Sequence, residues 1–179
     1  FPVLNKTSRV GFIATDVKRI NNPGATVLGS DWNMGFKDNR LFTSGQMVRS
    51  NVEKDFGEAF RFNLGYLDPV WWSIRFWYGK TTENFNINDI GFLRRSGTSW
   101  TGMRFELRQQ EPRGRFINND IEFKFNQRWN DNNLLLEREI KIEQNNLLLN
   151  YSRFGFSTGV SLPAFNDEDT FRDENAWPY

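Results

Sequence analysis

The sequence contains no cysteine and no histidine, and it has no long apolar run. Without these two residue types there is no disulfide, no thiol nucleophile, no imidazole base and no ordinary zinc site. No segment approaches the roughly 18 consecutive apolar residues that a membrane-spanning helix needs. We therefore expect no transmembrane helix, no metal ion and no cofactor.

The sequence also lacks an excess of either charge. It has 23 basic and 22 acidic residues, which gives a formal net charge of +1, and the basic residues do not cluster. A nucleic-acid partner is therefore not expected. Carboxylate pairs such as Glu137 with Glu139 arise automatically when a charged face alternates along a strand, so we assign no catalytic residue.

Aromatic residues, in contrast, are abundant, with 18 Phe and 7 Trp. Aromatic side chains favour strands and suit boundaries between apolar and wet surroundings. A polar average combined with many aromatic residues is typical of membrane β-barrels, because their strands alternate between a lipid-facing and a lumen-facing residue. The composition thus favours an all-β fold.

Nearly every segment has apolar residues at a spacing of two. The clearest predicted strand covers residues 115–129, where Ile117, Ile121, Phe123, Phe125 and Trp129 alternate with polar residues. A turn at 130–133 leads to a second alternating segment with Leu134, Leu136, Ile140 and Ile142 on its apolar side. Further segments alternate at 26–36, 40–51, 60–66, 70–78 and 98–110, and less regular ones lie at 8–19 and 147–161.

Together these segments predict an antiparallel meander of about nine long strands, without an internal domain boundary over residues 1–179. Several of them keep one register for 11–15 residues, whereas globular strands usually have about 5–6. A tilted strand of about 9–11 residues is enough to cross a bilayer. We therefore interpret the chain as part of a transmembrane β-barrel and as a piece of a longer protein.

The alternation predicts which side chains face which solvent. The candidates for the lumen are charged residues of three successive strands, namely Arg104, Glu106, Arg108, Asp120, Glu122, Lys124, Arg128, Glu137, Glu139 and Lys141. The candidates for the lipid are Phe60, Phe62, Leu64, Val70, Trp72, Ile74, Phe76, Phe105, Ile121, Phe123, Phe125, Ile140 and Ile142. Opposite charges on neighbouring strands are expected to pair on the lumen wall.

Two roles remain open for the large aromatic residues. Most of Trp32, Phe36, Tyr66, Trp72, Tyr78, Trp100 and Trp129 lie near predicted strand ends, as the interfacial girdles of a barrel require. Trp71, Trp77 and Trp100 have a second interpretation, in which they stack on sugar rings. The alternative to the barrel is a soluble β-sandwich that binds carbohydrate, with Phe123, Phe125, Ile140 and Ile142 in its dry core.

Three segments carry a resemblance to a known family. They are Arg9–Val17, the motif of Asn88, Asp89, Gly91, Phe92, Leu93, Arg94 and Arg95, and Leu135–Ile140. In order and spacing they resemble a bacterial family of outer-membrane proteins that have an N-terminal domain like the family-nine carbohydrate-binding modules and a large C-terminal β-barrel. The resemblance implies that this chain is the middle to late part of that barrel.

The resemblance implies no catalytic residue, since any hydrolase activity would belong to the family's other domain. We therefore expect a non-catalytic segment of a barrel in the outer membrane of a Gram-negative bacterium. Its expected role is transport or the handling of a glycan through a polar lumen. Its expected partners are the lipid bilayer, the remaining strands of the same barrel or other subunits, and a glycan.

Overall fold

The computed structural model describes residues 8–20, 24–52, 55–87, 95–166 and 177–178. These residues form nine long strands and two short ones, and they contain no helix. The strands are β1 (Arg9–Val17), β2 (Ala25–Phe36), β3 (Leu41–Val52), β4 (Asp55–Leu67), β5 (Trp72–Thr81), β6 (Thr98–Gln109), β7 (Phe116–Asn130), β8 (Leu135–Leu148), β9 (Arg153–Ser161), β10 (Phe165–Asn166) and β11 (Trp177–Pro178).

Strands β1 to β9 form one antiparallel sheet in which each strand pairs with its neighbours in the sequence. The predicted all-β class and the predicted meander of about nine strands are thereby confirmed. The long strands have 9 to 15 residues, which corresponds to roughly 30–50 Å at about 3.3 Å per residue. Strands β10 and β11 form a separate pair that contacts β8. Within the described ranges, no helix is both long and apolar enough to cross a membrane.

Most predicted strand bounds lie within a few residues of the observed ones, but the last segment was wrong. Residues 147–161 do not form one strand, because β8 ends at Leu148 and β9 begins at Arg153. The turn between them has Tyr151 at a φ of 62°, and the Asn150 side chain accepts a hydrogen bond from the Ser152 backbone N–H at 3.0 Å. The leucines before the turn continue the apolar pattern, so the pattern alone does not mark the turn.

Two local irregularities also differ from simple alternation. The register between β7 and β8 shifts between Phe116 and Asn118 and again between Arg128 and Trp129. Ile117 and Leu136 therefore have no direct partner across the strand pair, and Leu134 lies before the first residue of β8. An extra residue of this kind is a β-bulge, which increases the local twist.

The tight turns use side chains that suit them. Lys37, Asp38 and Asn39 all have positive φ between β2 and β3, a region that Asn and Asp tolerate better than most residues. Between β7 and β8, the side-chain oxygen of Asn130 accepts hydrogen bonds from the backbone N–H groups of Asn132 and Leu134. These polar turn residues explain why the turns at 37–39 and 130–133 were predicted correctly.

The turn between β4 and β5 depends on one carboxylate. Asp68 accepts hydrogen bonds from the backbone N–H of Trp71 at 2.8 Å and from that of Val70 at 3.0 Å. These two hydrogen bonds favour the charged carboxylate and hold the pKa of Asp68 below its ordinary value. Val70 thus belongs to a turn and not to a strand.

Alternation gives the nine-stranded sheet two chemically different faces. The polar face carries Arg61, Arg75, Arg104, Lys124 and Lys141, and the apolar face carries the residues of opposite parity. Fourteen large hydrophobic strand residues are exposed on the apolar face, namely Val10, Phe12, Leu28, Met47, Phe56, Leu64, Phe76, Met103, Leu107, Phe123, Ile140, Phe154, Phe156 and Val160. The polar face exposes only Ile13 and Leu67 in its described strands.

The sheet also has two distinct ends. One end, which we call the loop end, holds the last residues of β1, β3, β5 and β7 and the first residues of β2, β4, β6 and β8. The other, the turn end, holds the connections 37–40, 68–71, 110–115 and 149–152. The most buried side chains lie at the loop end of the polar face, where Ser50 is 0% exposed and Ala25 is 3% exposed.

Candidate functional site

The polar face brings together all ten residues that the sequence predicts for the lumen. Charged residues of β6, β7 and β8 lie side by side there, in the register Arg104–Lys124–Lys141 and Glu106–Glu122–Glu143. The five predicted cations and the predicted carboxylates, with Glu143 added, nearly cancel in charge.

The charges are arranged in two adjacent rows. Arg75, Arg104, Lys124 and Lys141 lie opposite one another on four consecutive strands. Like charges that lie directly opposite each other destabilise a sheet. The next row toward the turn end compensates for them, because it holds Glu106, Glu122 and Glu143. We call these two rows without Arg75 the ion ladder.

Diagonal contacts connect the two rows of the ion ladder. The carboxylate of Glu122 lies 3.1 Å from Arg104 Nε and 2.5 Å from Lys124 Nζ. The carboxylate of Glu143 lies 3.4 Å from Lys124 Nζ and also pairs with Lys141. Lys124 thus contacts one carboxylate on its own strand and one on β8, and the Arg104–Glu122 and Lys124–Glu143 contacts connect neighbouring strands.

Other predicted lumen residues are engaged as well. Arg128 pairs with Glu137 at 3.7 Å, and the Asn126 side chain donates to Glu139 at 3.4 Å. Arg108 donates to the backbone carbonyl of Asp68 at 2.8 Å and so ties β6 to the neighbouring turn. Asp120 lies directly across the strand pair from Arg108.

The local geometry of the ion ladder gives its carboxylates a structural role. An acid or base for catalysis needs access to a substrate proton and a suitable pKa. Here the carboxylate oxygens contact lysine and arginine side chains. Within the described ranges, no group of three or more acidic side chains is placed to hold a metal ion.

Aromatic rings cover glycines on the same face, which sequence reasoning missed. Trp77 lies opposite Gly102, and Trp100 lies opposite Gly79. A methyl group added to either glycine would meet the ring of the opposite tryptophan, so each ring lies flat over its glycine. Phe42 covers Gly65 in the same way. The signal was present as Trp77-Tyr78-Gly79 and Trp100-Thr101-Gly102, two copies of Trp-X-Gly that face each other.

These positions correct part of the interfacial-girdle prediction. Trp100 lies on the polar face and not at the rim of the apolar face. Phe36, Tyr66 and Trp72 do lie on the apolar face close to the turn end, where the rings of Tyr66 and Trp72 are 5.0 Å apart. Trp71 lies in the turn before β5 and is exposed.

The second feature that sequence reasoning missed is a socket for Phe85. This residue follows β5 and is 5% exposed. Its backbone lies directly above Gly57, and the neighbouring Asn86 N–H donates to the Ser50 hydroxyl at 3.0 Å. The connection after β5 therefore folds onto the polar face at the loop end, where the small residues Ala25, Ser50 and Gly57 make room for it.

The residues predicted to face lipid fall on the apolar face with one exception. Strand residues Phe60, Phe62, Leu64, Trp72, Ile74, Phe76, Phe105, Ile121, Phe123, Phe125, Ile140 and Ile142 all have apolar-face parity. Val70 does not belong with them, because its N–H caps the Asp68 turn. Of the family-like motif, Asn88, Asp89, Gly91, Phe92, Leu93 and Arg94 lie outside the described residues.

Comparison with known proteins gives a family without a function. No curated protein matches the chain, and no solved structure matches it either. A family model described as a domain of unknown function, DUF5916, matches residues 3–176. Because the match covers nearly the whole chain, this protein belongs to the DUF5916 family.

Proposed function

We propose that the chain forms part of the wall of a β-barrel in the outer membrane of a Gram-negative bacterium. In this proposal the apolar face meets lipid and the polar face lines an aqueous interior that passes or holds polar solutes. The chain itself catalyses no reaction. The family description names no function, so the proposal rests on the residues of the sheet.

The observation that carries the proposal is the exposure of large hydrophobic side chains on one face of a long-stranded sheet. Phe123 is 41% exposed and Ile140 is 42% exposed, although both lie in the middle of the apolar face. In a soluble β-sandwich, a second sheet would cover such residues. Among themselves, the nine described long strands β1 to β9 contact only their neighbours in the sheet, so none of them packs across this face.

The ends of the apolar band support the same conclusion. On β4 the band runs from Phe60 to Tyr66, and on β5 it runs from Trp72 to Tyr78. Each stretch has seven residues and measures roughly 23 Å along the strand, or about 18 Å in height at the roughly 40° tilt of outer-membrane barrel strands. Charged Glu58 and Lys80 follow at the loop end, and the aromatic pair Tyr66 and Trp72 lies at the turn end.

The edges of the sheet indicate what partners the wall needs. Within the described residues, β1 pairs only with β2 and β9 pairs only with β8. Unpaired backbone groups are too costly in hydrocarbon, so a membrane-spanning sheet must close. We propose that further strands of the same protein, or strands of another subunit, pair with these edges, and that the lipid bilayer covers the apolar face.

A matched pair of arginine substitutions on β7 tests the assignment of the faces. Phe123→Arg places a charge on the apolar face, and Asn126→Arg places the same side chain on the polar face beside Glu139. In the full-length protein folded into lipid vesicles, Phe123→Arg should reduce the free energy of unfolding by about 2–4 kcal/mol. Asn126→Arg should change it by less than about 1 kcal/mol. A larger loss from Asn126→Arg would reverse the assignment.

Solubility provides the second measurement. A barrel wall should need detergent or lipid to stay monodisperse, whereas a soluble carbohydrate-binding sandwich should be monomeric in buffer. A wild-type protein that is monomeric and folded without detergent would contradict the membrane proposal.

A further inference from the structure

Between the charged rows of the polar face lies a row of neutral polar side chains. The register connects one residue from each of six consecutive strands, β2 to β7, namely Asn33, Ser44, Asn63, Trp77, Gly102 and Asn126. We call this set the amide row. Asn33, Ser44 and Asn63 lie on adjacent strands about 4.8 Å apart, and Asn126 lies beyond Trp77 and Gly102. These amides and the hydroxyl offer both hydrogen-bond donors and acceptors. Neutral groups of this kind match the hydroxyl groups of a sugar.

Aromatic surface lies in the middle of the amide row. The ring of Trp77 lies over Gly102, and the ring of Trp100 lies over Gly79 one row toward the loop end. Both tryptophans are only half-buried. A ring that lies flat on the backbone turns its other side toward the interior, where the C–H face of a sugar can stack on it.

Two arginines flank this aromatic surface. Arg61 lies one row toward the loop end on β4, and Arg75 lies one row toward the turn end on β5. Both are exposed, and neither forms an ion pair with any residue that the structure describes. Arg75 lies over the ring of Phe42 at 5.4 Å, which leaves its guanidinium edge available.

The nearest carboxylates do not neutralise these arginines. Asp31 shares the row of Arg61, but it lies two strands away and its carboxylate leans over Gly11 on the far side. Glu106 shares the region of Arg75, but it accepts a hydrogen bond from Ser73 at 3.0 Å. The cations of the ion ladder, in contrast, all have carboxylate partners.

We infer that the polar face between Arg61 and Arg75 binds a saccharide that carries negative charge as a carboxylate or a phosphate group. The sugar ring stacks on Trp77 and Trp100, its hydroxyl groups bond to the amide row, and its anionic group pairs with a guanidinium. Guanidinium groups recognise carboxylate and phosphate through paired hydrogen bonds. The inference rests on the proposed function for its location, because it requires the polar face to line an accessible interior.

Two assays on the full-length protein test it separately from the membrane proposal. Binding of oligogalacturonate, and of a neutral malto-oligosaccharide of equal length, is measured by quenching of tryptophan fluorescence in detergent. Solute entry is measured by the block of ionic current across a planar bilayer. We expect the charged oligomer to bind about tenfold more tightly than the neutral one, the scale of one charge-assisted hydrogen bond.

The variants assign the effect to residues. Arg61→Gln combined with Arg75→Gln should abolish the preference for the charged oligomer, and it should weaken binding of the charged oligomer far more than binding of the neutral one. Trp77→Leu should weaken binding of both oligomers. Arg128→Gln is the matched control, because Arg128 lies on the same face but already pairs with Glu137, and it should keep the preference.

Each outcome has one meaning. A protein that conducts in a bilayer but binds the two oligomers equally, or a double variant that keeps the preference, would overturn the inference and leave the proposed function intact. Binding without any membrane insertion would support the saccharide site and contradict the barrel.

Discussion

On strands β6 to β8 the polar face is built from long charged side chains, whereas on β2 to β5 it is built largely from small residues, glycines and flat aromatic rings. On β6 to β8, cations and carboxylates of neighbouring strands pair, as Lys124 does with Glu122 and Glu143. Trp77 of β5 and Phe85, which follows β5, each lie above a glycine. The same alternation thus produces two kinds of polar surface. In one, the charged side chains are paired with each other, and in the other, glycines and aromatic rings leave open surface.

Under the proposed function, this difference favours the face of β2 to β5 as the place where a polar solute binds. A carboxylate that is already paired with a lysine gains little from another ligand, because the partner must be displaced first. Exposed arginines such as Arg75 carry no such cost. Four substitutions test this difference between the two regions of the polar face, and their expected effects decrease in the order given.

Phe85→Ala should have the largest effect. Phe85 is only 5% exposed, and the loss of a buried aromatic side chain leaves a cavity. We expect the free energy of unfolding to fall by about 3 kcal/mol in a urea titration. Tyr151→Ala, at a position 80% exposed, is the control and should be nearly neutral. Equal effects of the two substitutions would show that the socket does not hold the loop.

Gly102→Ala should have the next largest effect. The new methyl group would occupy the space of the Trp77 ring, so the ring must move. Overpacking of this kind should cost about 2 kcal/mol and shift the tryptophan fluorescence spectrum. Gly159→Ala on β9 is the milder comparison, since its methyl group would lie 3.1 Å from the backbone oxygen of Ile140, whereas that of Gly102→Ala would overlap the Trp77 ring. Gly159→Ala should cost less and leave the spectrum unchanged. An unchanged spectrum for Gly102→Ala would contradict the covering of glycine by Trp77.

Glu122→Gln tests the ion ladder with a smaller effect. It removes the carboxylate that Arg104 and Lys124 share, and partly exposed ion pairs usually contribute up to about 1 kcal/mol. We expect a loss of about 1 kcal/mol that decreases at high salt. Arg75→Gln, on the same face but without an ion pair, should change stability by less than about 0.5 kcal/mol. If Arg75→Gln were the more destabilising variant, the contrast between the two regions would be wrong.

Asp68→Asn should have the smallest effect. It tests a carboxylate that backbone N–H groups stabilise, in contrast to the carboxylates of the ion ladder, which pair with side chains. The pKa of Asp68 is lowered in the folded protein by the N–H groups of Trp71 and Val70. Its contribution to stability is therefore complete above the ordinary value of 3.8 and is lost as the pH falls through the lowered pKa. The wild-type protein should lose stability in this acidic range more steeply than Asp68→Asn does. Identical pH profiles of unfolding would contradict the role of this carboxylate.

Much of the fold could be predicted because alternation is a local property. A spacing of two identifies strands, and it assigns Phe123 and Lys124 to opposite faces without any knowledge of their neighbours. The turns at Asp68 and Asn130 could be predicted because Asp and Asn bond to nearby backbone N–H groups. The meander then follows from short connections between antiparallel neighbours.

The remaining features depend on contacts that a single strand does not contain. The covering of Gly102 by Trp77 requires the register of β5 against β6, which a short pattern does not fix. The socket of Phe85 combines residues from β2, β3 and β4 with a connection that no periodicity describes. The bulge at Ile117 was missed because an inserted residue keeps its apolar character while its direction changes.

The order of the strands has a consequence for how the sheet assembles. Since every strand pairs with its sequence neighbours, all ladder contacts form between segments separated by one connection. Contacts that are close in sequence form quickly, so successive hairpins can add to a growing edge without waiting for distant parts of the chain. A gene that loses or duplicates one whole hairpin would keep the alternation and pairing of all the others, and such a sheet can change its width by two strands at a time.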